Sequence, residues 1–385
     1  MRITSGAVYA LDIPFVEAFR HRAHARRTCD SVVLRVVDEN GITGFGEGAP
    51  RPYVTGETPD SLVEHLVGQM WPSIRGTEIP DPVIDGLASL DEVIPQAAPP
   101  GVIAANAARC TLELALVDCG LRARGLSLGS VLPPVRASIS YSGVITAGDP
   151  EVAARRAGQM RLIGLDDVKL KVGIGDDLAR VRAVREVIGP DASLRLDANG
   201  AWDLDGASHF VEALDGLGIA ALEQPLPRRA LADLATLRKA TEIPLVADES
   251  LITMGDAQRL LDAGAVDVFN VRISKCGGLH QSTRIVRLAA DAGVAVQLGA
   301  QVGETAVLSA AGRHVAAWSP QLSFAEGSFG TLLLAEDVSR QPVRFGHRGR
   351  AAPLAGPGLG VEVVEERLRR YARRVVELGD LPEGR

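Results

Sequence analysis

The sequence predicts an α/β fold, in which a closed barrel of alternating parallel strands and helices carries a smaller α+β domain. Three observations predict it. Five short apolar runs between positions 168 and 278 each end in charged residues, with amphipathic segments between them. From Lys171 the steps to Asp197, Glu223, Asp248 and Lys275 are 26, 26, 25 and 27 residues. One β run, a helix of roughly 10–15 residues and two short loops fill such a step, and repeated units of this kind close into a barrel. The chain is also long enough: 385 residues, 46% hydrophobic, hold a barrel of about 250 residues and a second domain.

Taken in order, the first part reads as strands. Positions 3–11 alternate loosely, and 31–37 lead through Asn40-Gly41, a strong hairpin signal, into 42–46. Between the first strands lies a loop holding Arg20, His21, Arg22, His24, Arg26 and Arg27, read either as a solvated basic loop or as a lid. Positions 59–126 turn helical, with Leu62, Val63, Leu66 and Val67 as an amphipathic stripe. A turn-rich linker at 95–100 precedes a buried packing helix over 102–121. The pattern divides the chain into a capping part (1–133), a barrel (134–335) and a C-terminal segment (336–385).

The barrel should begin with a strand at 137–144 and a helix at 149–163. Helices follow at 176–188, 203–217 and 230–240, and Gly277-Gly278 permit a close turn into another at 279–291. The seventh strand is expected at 294–301, then a helix at 305–317, and the eighth strand at 321–325 with Glu326 at its end.

Function is argued from where the charges sit. Parallel strands are buried on both faces, so a charge in mid-strand is costly, whereas at the C-terminal end it reaches the barrel mouth. A single strand-end charge is usually a loop residue or a helix cap. Five in succession point to a site. Three carboxylates converging there repel one another unless a cation lies among them, and an all-oxygen set favours a hard ion such as Mg²⁺. Lys169 and Lys171 share a strand face about 6–7 Å apart. At an effective dielectric near 20 they repel by about 2–3 kcal/mol, enough to bring a lysine from about 10.4 towards the range of a general base. Lys169 is expected to tune and Lys171 to act as the base, with Lys275 reaching the ion from the opposite side. The bland alternative is that the paired lysines only bind surface carboxylates. Glu249 is expected to turn away from Asp248 and to support rather than ligate.

Lys-x-Lys, Asp-x-Asn, Glu-Gln-Pro, Asp-Glu-Ser and Lys-x-Gly-Gly on successive strands resemble the enolase superfamily. The paired lysines resemble its muconate lactonizing enzyme-like subgroup, within the mandelate racemase/muconate lactonizing enzyme family. Gly46-Glu47-Gly48 with 53–58 resembles the N-terminal capping domain, and 357–361 resembles the C-terminal return. The resemblance implies a modified TIM barrel, (β/α)7β, with an α+β capping domain completed by the C-terminal segment. It implies that Asp197, Glu223 and Asp248 bind Mg²⁺, with Mn²⁺ as a substitute, and that Lys171 and Lys275 form the acid/base pair. Two N-terminal loops would close over substrate, making His24, Arg51 and Tyr53 candidate contacts beside Asn199, Glu304 and Glu326. Asn199 could equally cap a helix, and Glu304 could be an ordinary helix N-terminal acid. The chain departs from the dipeptide epimerases of the subgroup, which carry Asp-x-Asp on the last strand where this chain has Phe324-Ala325-Glu326-Gly327. Arg272 stands where many relatives have a lysine.

The expected reaction is abstraction of the proton beside a substrate carboxylate, giving an enediolate stabilised by Mg²⁺. Racemisation, epimerisation or cycloisomerisation of an amino-acid derivative or muconate-like acid would follow. β-Elimination from a hydroxy or amino acid such as a hydroxyproline is the alternative. An acid-sugar dehydratase is disfavoured by the lack of a late His-Asp pair. Two readings from other classes are a Schiff-base, aldolase-like barrel and a non-catalytic ligand-binding barrel.

Composition excludes other functions. A net charge of −7 with interspersed signs leaves no basic patch for nucleic acid, and no apolar run approaches a membrane span. Cys29, Cys110, Cys119 and Cys276 form no CxxC, and the N-terminus lacks the apolar core of a signal peptide. The expectation is a cytoplasmic protein with reduced thiols that self-associates.

Overall fold

The computed structural model describes residues 1–20, 25–99, 101–146 and 148–379. Eight parallel strands follow one another in chain order: Gly143–Ile145, Asp167–Lys171, Ser193–Asp197, Ile219–Glu223, Leu245–Ala247, Val268–Val271, Ala295–Leu298 and Leu322–Ala325. Seven helices separate them, from Pro150–Leu162 to Ala306–Trp318. The Ser142 amide donates to Ala325 O at 2.9 Å, joining the first strand to the last. The fold is a closed (β/α)7β barrel with an antiparallel cap.

Element boundaries follow from local chemistry. Asp149, Asp176 and Asp203 each cap a helix by accepting an amide of its first turn. The helix expected over 203–217 stops at Ala213, because the chain turns through Gly216 and Gly218 at φ 71° and 61°. The first barrel strand is shorter than the 137–144 expected. Ile139–Ser140 pairs instead with Arg350–Ala351, and the Tyr141 amide donates to Gly349 O, so the C-terminal segment claims that backbone.

In the cap, Ile3–Leu11 lies between Ala372–Leu378 and Val32–Asp38, and Thr43–Gly48 forms the edge. The last strand thus returns to complete the first sheet. Along Thr43–Gly48, Gly44, Gly46 and Gly48 share one face, on which helix Asn106–Ala123 rests. A methyl at Gly46 would stand 2.1 Å from Thr111 O and 2.4 Å from Ala115 N, so only hydrogen fits. The basic segment expected as a loop is largely a hairpin, Pro14–Arg20 with Ala25–Thr28. Val16 N donates to Leu333 O and Ala335 N to Pro14 O, each at 2.8 Å, fastening the hairpin to the segment after the last strand. His24 lies outside the described residues.

Three buried glutamates tie the layers together by accepting amides at helix N-termini, whose first-turn N–H groups lack intrahelical partners. Glu57 holds Ala107 and Ala108, Glu113 holds Leu279 and His280, and Glu47 of the cap holds Thr305 and Leu308 of the barrel. All four cysteines are buried and free. No helix among the described residues is long and apolar enough to cross a membrane.

Candidate active site

Side-chain alternation builds the site. Ala221, Val246 and Val268 pack together inside the barrel. Two residues further along their strands come Glu223, Asp248 and Asn270, and Arg272 stands one more step of two beyond. Lys171 is in register with Asp197, and Asp197 with Glu223. The three expected carboxylates therefore occupy consecutive strand ends, all buried.

Lys169 sits among them. Its Nζ is 2.9 Å from Asp197 Oδ2, 2.8 Å from Glu223 Oε2 and 2.9 Å from Glu326 Oε1. Burial works against the ammonium, but the three carboxylates hold its pKa above the ordinary lysine range. Conversely, burial would raise Asp197, and Lys169 and Lys171 hold it below the usual carboxylate range. Glu223 is pushed up by burial and by Asp197 beside it. The expected repulsion between Lys169 and Lys171 is thus offset by the Asp197 carboxylate that both ammonium groups contact. Lys171 also donates to Asn199 Oδ1 at 2.9 Å, and Asn199 Nδ2 donates to Glu249 Oε1 at 3.1 Å. Asn199 caps no helix: Asp203 caps the one that follows. Glu249 is raised to about 7 by burial and by the Asp248 and Asp197 charges, and its Oε2 is buried without a hydrogen-bond partner.

Asp248 contacts Arg272 Nη2 closely and Lys275 Nζ at 3.0 Å. Burial opposes its ionisation, and Arg272 and Lys275 bring its pKa below the usual value. Lys275, expected to reach the ion from the side opposite Lys171, lies against the Asp248 carboxylate. Its Nζ donates to Asp248 O (2.7 Å), Asp248 Oδ1 and Asn270 O (2.8 Å), so all three of its donors are used in a fully buried position. The cause is the backbone: the strand ends at Val271, and residues 273–277 form a turn in which Cys276 N donates to Arg272 O. Arg272, of the inward parity, reaches the mouth instead.

The mouth opens into a cavity of about 790 Å³. Lys169, Lys171, Asn199, Glu249, Arg272 and Glu326 line its floor, with Arg51 and Tyr53 from the cap above them. Arg51 is buried and fixed, donating to Asp30 Oδ1 at 2.8 Å and Pro50 O at 2.6 Å, whereas Tyr53 is half exposed. Met160, Ile163, Leu165, Phe329, Leu333 and Phe345 make an apolar wall. Glu304 lines a small cavity that shares Arg272, Gln301 and Glu326 with the main one, accepting from Gln301 N and Ser309 Oγ, and burial pushes it up to about 8. Glu326 is neutralised by Lys169 and by Arg195 at 2.9 Å, leaving it poorly placed to take a substrate ammonium group.

The donor chemistry at the floor suits a hard divalent cation: three buried carboxylates on adjacent strands, with the unpartnered Glu249 Oε2 beside them. Among the described residues no three acidic, histidine or cysteine side chains form a ready cage. The Lys169 ammonium holds the position of positive charge between Asp197 and Glu223.

Several residues of the site were not singled out in the sequence. Gln224 accepts from the Asp248 and Ser250 amides, both at 3.0 Å, which sets the Asp248 loop. Asn270 donates to Glu223 Oε1 at 2.9 Å and Gln297 to Glu223 Oε2 at 2.8 Å. Strand parity was the signal that could have found Arg195 and Asn270.

These features define a capped barrel with an enclosed charged site at its strand ends, a class of barrel enzymes. A family model described as enolase C-terminal domain-like matches residues 152–367. A hydrophobic dipeptide epimerase of Enterococcus faecalis is 30% identical over 373 residues, covering 94% of this chain and 99% of that protein. Muconate cycloisomerase 1 of Rhodococcus opacus is 28% identical, covering 97% and 99%. The crystal structure of N-succinyl Arg/Lys racemase from Bacillus cereus superposes with a TM-score of 0.89 at 25% identity, over 98% of this chain and 100% of that one. The chain belongs to the enolase superfamily, in its muconate lactonizing enzyme-like subgroup, whose members found here are epimerases, racemases and cycloisomerases.

Proposed function

We propose that the protein removes the proton next to the carboxylate of a small organic acid, with Lys171 as the base, and then isomerises the product. The observation that supports this is Lys171 itself: it lies on the cavity floor between Asp197 and Asn199, next to a buried set of carboxylates. Asp197, Glu223 and Asp248 would hold Mg²⁺, and the structurally similar Cytophaga hutchinsonii dipeptide epimerase was solved with Mg and a dipeptide. Bound there, the ion would supply stabilisation of negative charge on the substrate carboxylate.

The chain's own residues do the rest. Lys171 takes the proton, and Asn199 fixes its Nζ through the 2.9 Å hydrogen bond. Lys169 offers positive charge to the same floor. The cap, through Arg51, Tyr53 and the hairpin bound to Leu333, encloses the substrate and excludes water. The apolar wall favours an acid with an apolar body, such as an amino-acid derivative without a free ammonium group or a muconate-like acid. β-Elimination begins with the same proton removal.

The test is a carboxylate library (N-acyl amino acids, dipeptides, hydroxyprolines, muconates) incubated with Mg²⁺ in D₂O. Deuterium should enter the α-carbon of at least one member. A library in which nothing exchanges and nothing is converted would defeat the proposal.

A further inference from the structure

Inside the barrel, one layer beneath the strand ends, a single guanidinium ties several strands together. Arg195 is buried in mid-strand, in register with Lys169 on one side and Ala221 on the other. Its Nε donates to Asp167 Oδ1 at 3.3 Å. Its Nη1 donates to Gln297 Oε1 at 2.6 Å and Glu326 Oε1 at 2.9 Å. Its Nη2 donates to Ser142 Oγ at 2.7 Å and Asp167 Oδ2 at 3.3 Å. A guanidinium has five N–H donors, so every one is engaged. The group also lies 4.6 Å from the centre of the Phe324 ring. Arg195 does not line the cavity.

Some of these bonds are architectural. Among the described residues no ladder joins Leu322–Ala325 to Gly143–Ile145. Ser142 crosses that seam by donating its amide and hydroxyl to Ala325 O, at 2.9 and 3.1 Å. Arg195 holds Ser142 on one side of the seam and Glu326 on the other.

The remaining bonds carry directional information. A guanidinium only donates, so Gln297 must present its oxygen to Arg195. The Gln297 nitrogen is thereby aimed the other way, where it donates to Glu223 Oε2 at 2.8 Å and to Glu326 Oε1 at 3.3 Å. A reversed amide would set N–H groups against the guanidinium and an oxygen against the Glu223 carboxylate. Arg195 likewise fixes Glu326 Oε1, the atom that Lys169 Nζ contacts at 2.9 Å.

We infer that Arg195 is a positioning residue: through Gln297 it orients the Glu223 carboxylate for a divalent cation, and through Glu326 it anchors Lys169. This rests on the proposed role of Glu223 towards Mg²⁺, and adds to it a residue that meets neither the cavity nor the three carboxylates assigned to the ion. Closure of the barrel alone would ask only for bonds across the seam. Orientation of Glu223 asks for the Gln297 bond as well.

The experiment titrates Mg²⁺ into the metal-free, full-length protein by calorimetry and records the melting temperature of each variant in EDTA. Arg195→Met releases Gln297 and Glu326 together, and its Kd for Mg²⁺ should rise about 10–100-fold. Gln297→Met keeps the guanidinium but removes the donor to Glu223, and its Kd should rise about tenfold or more. Ser142→Ala touches only the seam. It should lower the melting temperature yet hold the Kd within about twofold of wild type. Should Arg195→Met not fold, Gln297→Met and Ser142→Ala decide the matter. A wild-type Kd in Gln297→Met, or Mg²⁺ binding weakened equally by Ser142→Ala, would make Arg195 a strut of the barrel and overturn the inference, with the proposed function standing. Wild type that binds no Mg²⁺ would overturn the inference together with the proposed metal role.

Discussion

Lys171 Nζ donates to Asn199 Oδ1 at 2.9 Å, a contact that carries the amine away from the strand axis and towards the cavity. Lys171→Ala should therefore lower α-proton exchange by about 10²–10⁴ while leaving the circular dichroism spectrum and melting temperature near wild type. Exchange persisting at the wild-type rate in a folded variant would remove Lys171 from the reaction.

Lys169 has a different part, since it compensates three buried carboxylates. Removing one partner of a buried ionic set typically costs about 3–5 kcal/mol. Lys169→Met should lose stability of that order in EDTA, measured by urea denaturation, and regain part of it on addition of Mg²⁺. A variant as stable as wild type in EDTA would contradict the compensation.

Metal binding should itself stabilise the fold. A ligand at a hundred times its Kd contributes about 2.7 kcal/mol, so Mg²⁺ should raise the melting temperature and EDTA lower it. Asp197→Asn should abolish that Mg²⁺-dependent shift. A shift of equal size in the variant would place the ion elsewhere.

Stability should also respond to pH through Glu113, pushed up to about 8 chiefly by burial while the Leu279 and His280 amides act against the rise. Its ordinary value is 4.5. Between those values the folded protein keeps a proton that the unfolded chain has released, so stability falls as pH rises, by about 1.4 kcal/mol per unit. Above pH 8 both states are ionised and this slope ends. Glu304, also pushed up to about 8, adds to the same trend. Denaturation at pH 5, 6, 7 and 8 should show a shallower slope in Glu113→Gln, and an unchanged slope would refute the assignment.

The contact between the cap strand and its helix gives a packing prediction. Gly46→Ala forces a methyl against the backbone of Thr111 and Ala115, and should cost about 1–3 kcal/mol or more. Gly68→Ala, whose added methyl meets nothing within 4 Å, is the control and should be close to neutral. Equal melting temperatures for the two variants would show that the helix can move aside.

The repeat of strand and helix was legible from the chain because both periods are local. Apolar runs of fixed length, aspartates at helix N-caps and the even spacing of strand-end charges need no distant contact to be recognised. That is why Leu279–Asp291 was anticipated to the residue, and why Asp197, Glu223 and Asp248 were anticipated on consecutive strands. Boundaries set by distant pairing escaped. Ile139–Ser140 was drawn off by Arg350–Ala351, more than two hundred residues away, and the basic loop gained strands by fastening to Leu333 and Ala335. Pairing partners of that kind are invisible to local periodicity.

By itself, then, the sequence determined the barrel, its cap and the kinds of charge at the mouth, since each follows from the residue pattern along the chain. Only the tertiary structure decided which charge meets which. It put Lys169 between carboxylates, and Glu304 in a side cavity. It turned Lys275 under the floor and gave the mouth to Arg272. The physical reason is that a side chain's direction depends on where its strand stops and turns. One turn after Val271 exchanged the places of two cations three residues apart.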